Sequence, residues 1–268
     1  MLGSYWFLIL MIAAAVSFAI AGALTVRRLV SHDTLVNHHD VAGYMMSIIG
    51  TLYAVVLGLI VVNSLNTFQT ARSTVEQEAN SLSDIFHLAA GMPNQFCSAL
   101  RNDCYKYADA VVNDEWSTMQ NGKPSAKVHI LASRMWQTVV DFKPQTDAEA
   151  DLHQSLLAEV NELSDCRHAR LEVAQPEFDA IIWGVLVFGG VVVIVFTYFF
   201  GVKNVGVQMV MTILVTLALA LNLTLVGMFG YPYSGDVRVS AEPFAYDLQT
   251  FKALIQEQQN GSGGARTN

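Results

Sequence analysis

The chain has 268 residues, 53% of them hydrophobic and 14% charged, with a formal net charge of −8. It is too apolar for a soluble domain of that length, which points to an integral membrane protein with the lipid bilayer as a partner. Seventeen acidic against nine basic residues between Arg72 and Asp179 carry the whole imbalance, and a segment of that sign repels phosphate backbones, so nucleic acid is excluded as a partner.

Four segments have the roughly twenty apolar residues that a spanning helix needs: Tyr5 to Leu24, Val41 to Val62, Ile181 to Phe200 and Met209 to Phe229. The predicted fold is all-α, a membrane protein with four transmembrane helices and a helical extramembrane domain inserted between the second and third. The expected divisions are a first transmembrane pair (1–62), an acidic helical domain (63–178), a second pair (179–230) and a tail with a short amphipathic helix and a disordered end (231–268).

The start MLGSYWF lacks the basic n-region of a cleaved signal, and its apolar run is too long for one. Tyr5 and Trp6 fall where an interfacial belt would place them, and Ala15, Ala19 and Ala23 form a small-residue stripe suited to close helix packing. The connector Ser31 to Asp40 gathers His32, Asp33, His38, His39 and Asp40. Their spacing matches no metal motif, so a solvated loop is expected and no metal site.

Gly43, Ser47, Gly50, Ala54 and Gly58 share one face of the second span, either for backbone packing or to leave room on a pore surface. No charge occurs between Asp40 and Arg72, and no Gly or Pro between Val62 and Gly91, so this helix is predicted to run on past the span. Its continuation carries two stripes. Leu65, Phe68, Arg72, Val75, Ala79, Leu82, Phe86 and Ala89 form an apolar seam broken only by Arg72. Asn63, Asn66, Thr70, Ser73, Gln77, Asn80 and Asp84 form an all-polar stripe, read either as a solvated face or as the lining of an aqueous path.

Beyond Gly91 a helical array is predicted. Pro93 opens a helix that buries Phe96, Leu100, Tyr107, Val111 and Trp116 until Asn121-Gly122 ends it. Val128, Leu131, Met135, Trp136 and Val139 mark another, stopped before Pro144. Thr146 to Glu149 is a capping box before Leu152, Leu156, Val160 and Leu163. Cys97, Cys104 and Cys166 read as reduced structural thiols, with one disulfide as the alternative. Glu177 and Asp179 at the mouth of the third span either compensate its helix dipole or attract cations, and Asn222 inside the fourth is either interhelical glue or a conduction site. Phe244, Leu248, Phe251 and Ile255 give the tail helix its apolar side.

Gly58, Ala71-Arg72, Glu78-Ala79, Pro93, Glu115-Trp116, Pro232-Tyr-Ser-Gly235 and Arg238-Val-Ser-Ala-Glu-Pro243 occur in an order, with the same succession of spans, that resembles the bacterial bestrophin-like membrane proteins. These are distant relatives of bestrophin anion channels, and the resemblance covers nearly the whole chain. It implies a homo-oligomer, a pentamer in bestrophins, with small inorganic ions passing along the second span, anions before cations. It implies Ala54, Leu57, Val61 and Leu65 as neck residues, with Asn63 and Asn66 just beyond; Thr70, Ser73 and Gln77 are pore-lining candidates from the polar stripe itself. It also implies a bacterial inner membrane, with domain and termini in the cytoplasm. Arg27, Arg28 and Lys203 against Arg72, Arg167, Arg170 and Arg238 leave orientation undecided by charge alone. The chain departs from bestrophins in lacking an acidic calcium cluster after the fourth span, where Asp236 and Glu242 are too few. Its acidic domain also disfavours anions electrostatically.

The competing reading is a non-conducting scaffold or sensor whose acidic domain binds a protein. No Gly-rich phosphate loop, nucleophile elbow or HExxH occurs, so neither a catalytic residue nor a cofactor is expected.

Overall fold

The computed structural model describes residues 5–31, 35–36, 39–119, 122–174 and 180–264, and no strand occurs among them. The chain divides into two compact units, residues 1–68 with 176–238 and residues 69–175 with 239–268.

The first unit contains α1 (Tyr5–Leu29), the beginning of α2 (His39–Leu88), α7 (Ala180–Tyr198) and α8 (Val205–Phe229). Among the described residues these four are the helices long and apolar enough to cross a membrane, as the sequence predicts. α1 packs on α8 and α7, with Ala19 and Ala23 buried. It runs to Leu29, so Arg27 and Arg28 occupy its last turn, where cations offset the negative helix end. Arg27 donates from Nη1 to Gln208 Oε1 at 2.7 Å and from Nη2 to the Lys203 carbonyl at 3.0 Å. Asn204 caps α8 by accepting from the Gly206 N–H at 2.8 Å.

The core of this unit is Tyr53 and Leu57 of α2 with Leu186 and Val193 of α7 and Val226 of α8. The Tyr53 hydroxyl donates to the Leu186 carbonyl at 2.8 Å. A Cβ at Gly189 would sit 2.5 Å from Tyr53 Cδ2, so that glycine admits the ring. Of the histidine connector, His32, Asp33 and His38 lie outside the described residues, as do the mouth acids Glu177 and Asp179, while His39 and Asp40 open α2 rather than lying in a loop.

The second unit contains the rest of α2, a 3₁₀ turn (Ala89–Gly91), α3 (Asn94–Ala110), a π turn (Val111–Glu115), α4 (Trp116–Met119), α5 (Ala126–Val140), α6 (Asp147–Val173) and α9 (Glu242–Gly264). α3 packs on α5 and α9, and α5 on α6. The continuous helix expected from Pro93 is interrupted by the π turn. Val111 and Trp116, both buried, are five residues apart, and a wider turn keeps both inside where a 3.6-residue turn would swing one out.

Thr146 caps α6 by accepting from the Glu149 N–H at 3.2 Å, while Glu149 Oε2 accepts from the Gln145 N–H at 2.7 Å. The capping box thus reaches one residue further back than predicted. Trp136, expected in the core, is 39% exposed, while Val128, Leu131, Met135 and Val139 of the same helix are buried. The tail helix buries Phe244 and Phe251, and Phe251 stacks on Phe86 with centroids 4.1 Å apart. It runs to Gly264, through residues whose composition suggested disorder. All three cysteines are free and buried.

Candidate functional site

α2 has 50 residues, about thirty more than a bilayer crossing requires. It holds most of the predicted site residues, and the structure sorts them by face. A helix turns about 100° per residue. On that geometry Ala54, Leu57, Val61 and Leu65 share one side, while Asn63 and Asn66 fall at least about 100° round from each of them. A single lining face therefore cannot hold both groups.

Within the first unit, Leu57 is 4% exposed in the apolar core and Val61 packs against that core. Their side chains fill the interior of this unit. Ala54, Leu65, Asn63 and Asn66 are exposed. Opposite the buried side, the helix presents Ile48, Leu52, Val55, Leu59 and Val62, all exposed, in line with Asn66. Added Cβ atoms at Gly43, Gly50 and Gly58 would meet open space, so no backbone of the described chain packs on that small-residue face.

Within the second unit, Thr70, Ser73, Gln77, Asn80 and Asp84 are all exposed. The seam beside them, Val75, Ala79, Leu82, Phe86 and Ala89, is buried. Arg72, the one break in the seam, points outward and pairs with Glu76 at 3.0 Å. Asn222 of α8 donates to the Ala218 carbonyl of its own helix at 2.9 Å. Among the described residues its amide returns to the turn before it, as a polar side chain in a helix can.

The buried face of α2 also carries a charge that sequence reasoning missed. Glu78 and Arg170 are fully buried, with Arg170 Nε donating to Glu78 Oε2 at 2.6 Å and Nη2 to Oε1 at 2.9 Å. Tyr107 donates to the same carboxylate at 2.7 Å. Glu115, on the π turn, accepts from Arg170 Nη2 at 3.4 Å and from Arg167 Nη2 at 3.1 Å. Trp116 and Phe244 lie beside the Arg170 guanidinium, which is 5.4 Å and 5.9 Å from their ring centroids.

Burial alone would lower the Arg170 pKa, but the Glu78 carboxylate outweighs it and holds the guanidinium firmly charged. Burial, and then the negative Glu78, push the Tyr107 phenol well up, so it stays a donor. Two cations and two anions neutralise each other and tie α2, α3, the π turn and α6 together. A signal for this existed. Leu156, Val160 and Leu163 continue at the same three-and-four spacing into Arg167 and Arg170, which puts two arginines on an apolar stripe. Among the described residues, no group of three His, Cys, Asp or Glu stands close enough to hold a metal.

An all-helical chain with four apolar crossing helices and a buried ionic cluster in a second unit defines an α-helical integral membrane protein. The family model of the Bestrophin-like domain matches residues 13–244, and the chain belongs to that family. Its fold is similar to that of a bacterial bestrophin homologue from Klebsiella pneumoniae carrying a single substitution. That match has a TM-score of 0.68 at 8% identity and covers 91% of this chain and 98% of that one. A second solved chain, a membrane protein, matches at TM-score 0.64 and 10% identity over 91% of this chain and 96% of that one. At such identities the likeness is one of fold. No curated protein matches in sequence.

Proposed function

We propose that this chain is one subunit of a homo-oligomeric, bestrophin-like ion channel in a bacterial inner membrane, with α2 lining the conduit and its acidic helical domain inserted between the second and third spans. The observation that carries this reading is the exposure of every member of the polar series Asn63, Asn66, Thr70, Ser73 and Gln77 along a helix whose opposite side is buried. Identical copies arranged about an axis bring such faces together around water.

Because Leu57 and Val61 are turned to the protomer core, the apolar narrowing is drawn from the exposed side instead, from Val55, Leu59 and Val62 leading to Asn66. Ala54, Leu65 and the open glycines then face a neighbouring copy, where small side chains allow close approach. Family resemblance favours a pentamer, cytoplasmic termini and anions over cations. The fixed negative charge of the domain weakens anion accumulation, so the polar lining rather than long-range attraction must set selectivity.

The test is flux through protein reconstituted in liposomes, after cross-linking has confirmed an inserted oligomer. Asn66→Leu is expected to lower the flux at least about tenfold by dewetting the path. An oligomer that conducts no better than empty vesicles would overturn the reading and leave a non-conducting scaffold, whose acidic surface suits a basic protein partner.

A further inference from the structure

At one end of the first unit α1 and α7 finish while α2 and α8 begin, and the permeation reading uses none of the residues gathered there. A slot of about 140 Å³ lies at this end, walled by Met46 of α2, Phe200 and Val202 of the turn after α7, and Met211 and Val215 of α8. Thr197 and Gln208 share the wall, and both are already satisfied. Thr197 donates to the Ile194 carbonyl at 2.6 Å, while Gln208 accepts from Arg27 at 2.7 Å and donates to the Tyr198 carbonyl at 3.2 Å. The slot therefore offers an occupant packing contacts and asks it for no hydrogen bond.

Its size decides the kind of occupant. Sites that take a whole small molecule enclose about 300–1,000 Å³, so 140 Å³ holds a segment of something that continues outside. Met211 on the wall is exposed, as are Val207, Val210 and Leu214 of the same spanning helix, so the continuation runs along an apolar surface. The solvent of such a surface is hydrocarbon, and an acyl chain is the segment that fits it.

Charge at the same end selects the head of that molecule. Gln208 links slot and charge, since it walls the one and its side-chain oxygen holds Arg27 of the other. Arg27 also donates to the carbonyl of Lys203, the residue after Val202, at 3.0 Å. Both acceptors are neutral, so the guanidinium is fixed in place with its charge uncompensated among the described residues. Arg28 and Lys203 are exposed. These three bases outnumber Asp33 and Asp40, the acids of the connector that follows α1, and make this end net positive in a chain of net charge −8. We propose that this end of the first unit binds one anionic phospholipid, its phosphate on Arg27 and Lys203, with Arg28 adding to the attraction and part of an acyl chain in the slot beside Gln208. Basic residues at the membrane surface attract anionic lipid heads, and the slot gives one such lipid a fixed place. The site requires only that the protein lies in a membrane, so it stands whether or not the protein conducts.

The experiment is native mass spectrometry of the full chain in detergent, titrated with dioleoylphosphatidylglycerol, with zwitterionic dioleoylphosphatidylcholine, and with glycerol 3-phosphate as the head alone. The anionic lipid is expected to bind saturably, one per chain, and phosphatidylcholine at least about tenfold more weakly. Glycerol 3-phosphate has no chain to hold it at the apolar surface and should bind at least about a hundredfold more weakly. Lys203→Gln should cost about fivefold in affinity for the anionic lipid, and Lys203→Gln with Arg28→Gln about twentyfold. Met211→Trp, at an exposed position, should cost about threefold by closing the slot. Arg238→Gln removes an exposed base beyond the opposite end of α8 and should leave the affinity unchanged. No saturable binding of the anionic lipid, equal binding of phosphatidylcholine or glycerol 3-phosphate, equal losses in Arg238→Gln and Lys203→Gln, or binding indifferent to Met211→Trp would each overturn the assignment.

Discussion

Arg170 grips Glu78 through two hydrogen bonds, 2.6 Å and 2.9 Å long, with both side chains wholly removed from solvent. The pair joins α2 to α6 across 92 positions of sequence. Removing one partner strands the other charge, at a cost of about 3–5 kcal/mol. Arg170→Ala should therefore lower the Tm of the detergent-solubilised protein by several degrees or abolish folding. Glu78→Gln, which keeps the shape, should cost less. A Tm for Arg170→Ala within a degree of the parent would refute a structural role for the pair.

Tyr53 and Gly189 give a parallel prediction in the first unit. Tyr53→Phe loses the bond to the Leu186 carbonyl and should cost about 1 kcal/mol. Gly189→Ala drives a methyl into the Tyr53 ring and should cost more, about 1–3 kcal/mol. The double change Tyr53→Ala with Gly189→Ala should recover part of the second loss. Guanidinium or detergent titration curves of the parent, Tyr53→Ala, Gly189→Ala and the double variant would measure the coupling.

Asp247 of α9 is 8% exposed, and burial pushes its carboxyl up to about 6 from 3.8. A carboxyl with a raised folded pKa makes the folded state bind the extra proton. The ionised form therefore costs stability in full above about pH 6, and the cost fades as pH falls toward 3.8. Asp247→Asn should accordingly stabilise the protein by about 1–3 kcal/mol at pH 7.5 and by almost nothing near pH 4. The quantity to measure is the Tm difference between the two proteins as a function of pH. A difference that grows on acidification would have the wrong sign.

Thiol chemistry supplies another check. Burial pushes the Cys104 thiol far up, and burial with Glu162 pushes Cys166 up to about 12. Neither should react with a maleimide at neutral pH until the chain is unfolded, which mass spectrometry of the labelled protein would show. This quiet background permits cysteine substitution along α2. Cysteines at Asn66, Ser73 and Gln77 should label rapidly in the reconstituted protein, and one at Leu57 should not. Rapid labelling at Leu57 would contradict its place in the core.

The four spans, the helical character of the intervening segment and the two stripes of α2 were legible because bilayer thickness and helical period act on a single segment at a time. The seam from Val75 to Ala89 is buried, and the polar stripe is exposed, as period alone predicts. What period could not tell was how far one face lies from another's partner. Leu57 and Asn63 both looked like lining residues, and the positions of Leu186 and Val226 decided that Leu57 belongs inside.

The ionic cluster shows the same division. Glu78, Glu115, Arg167 and Arg170 are individually ordinary charges in an acidic segment, and local propensity gives no reason for them to meet. Their pairing and the π turn that keeps Val111 and Trp116 both buried were decided only by tertiary packing. The free energy of a buried charge depends on which groups surround it in three dimensions, and the sequence distances spanned here, up to 92 residues, carry no record of that.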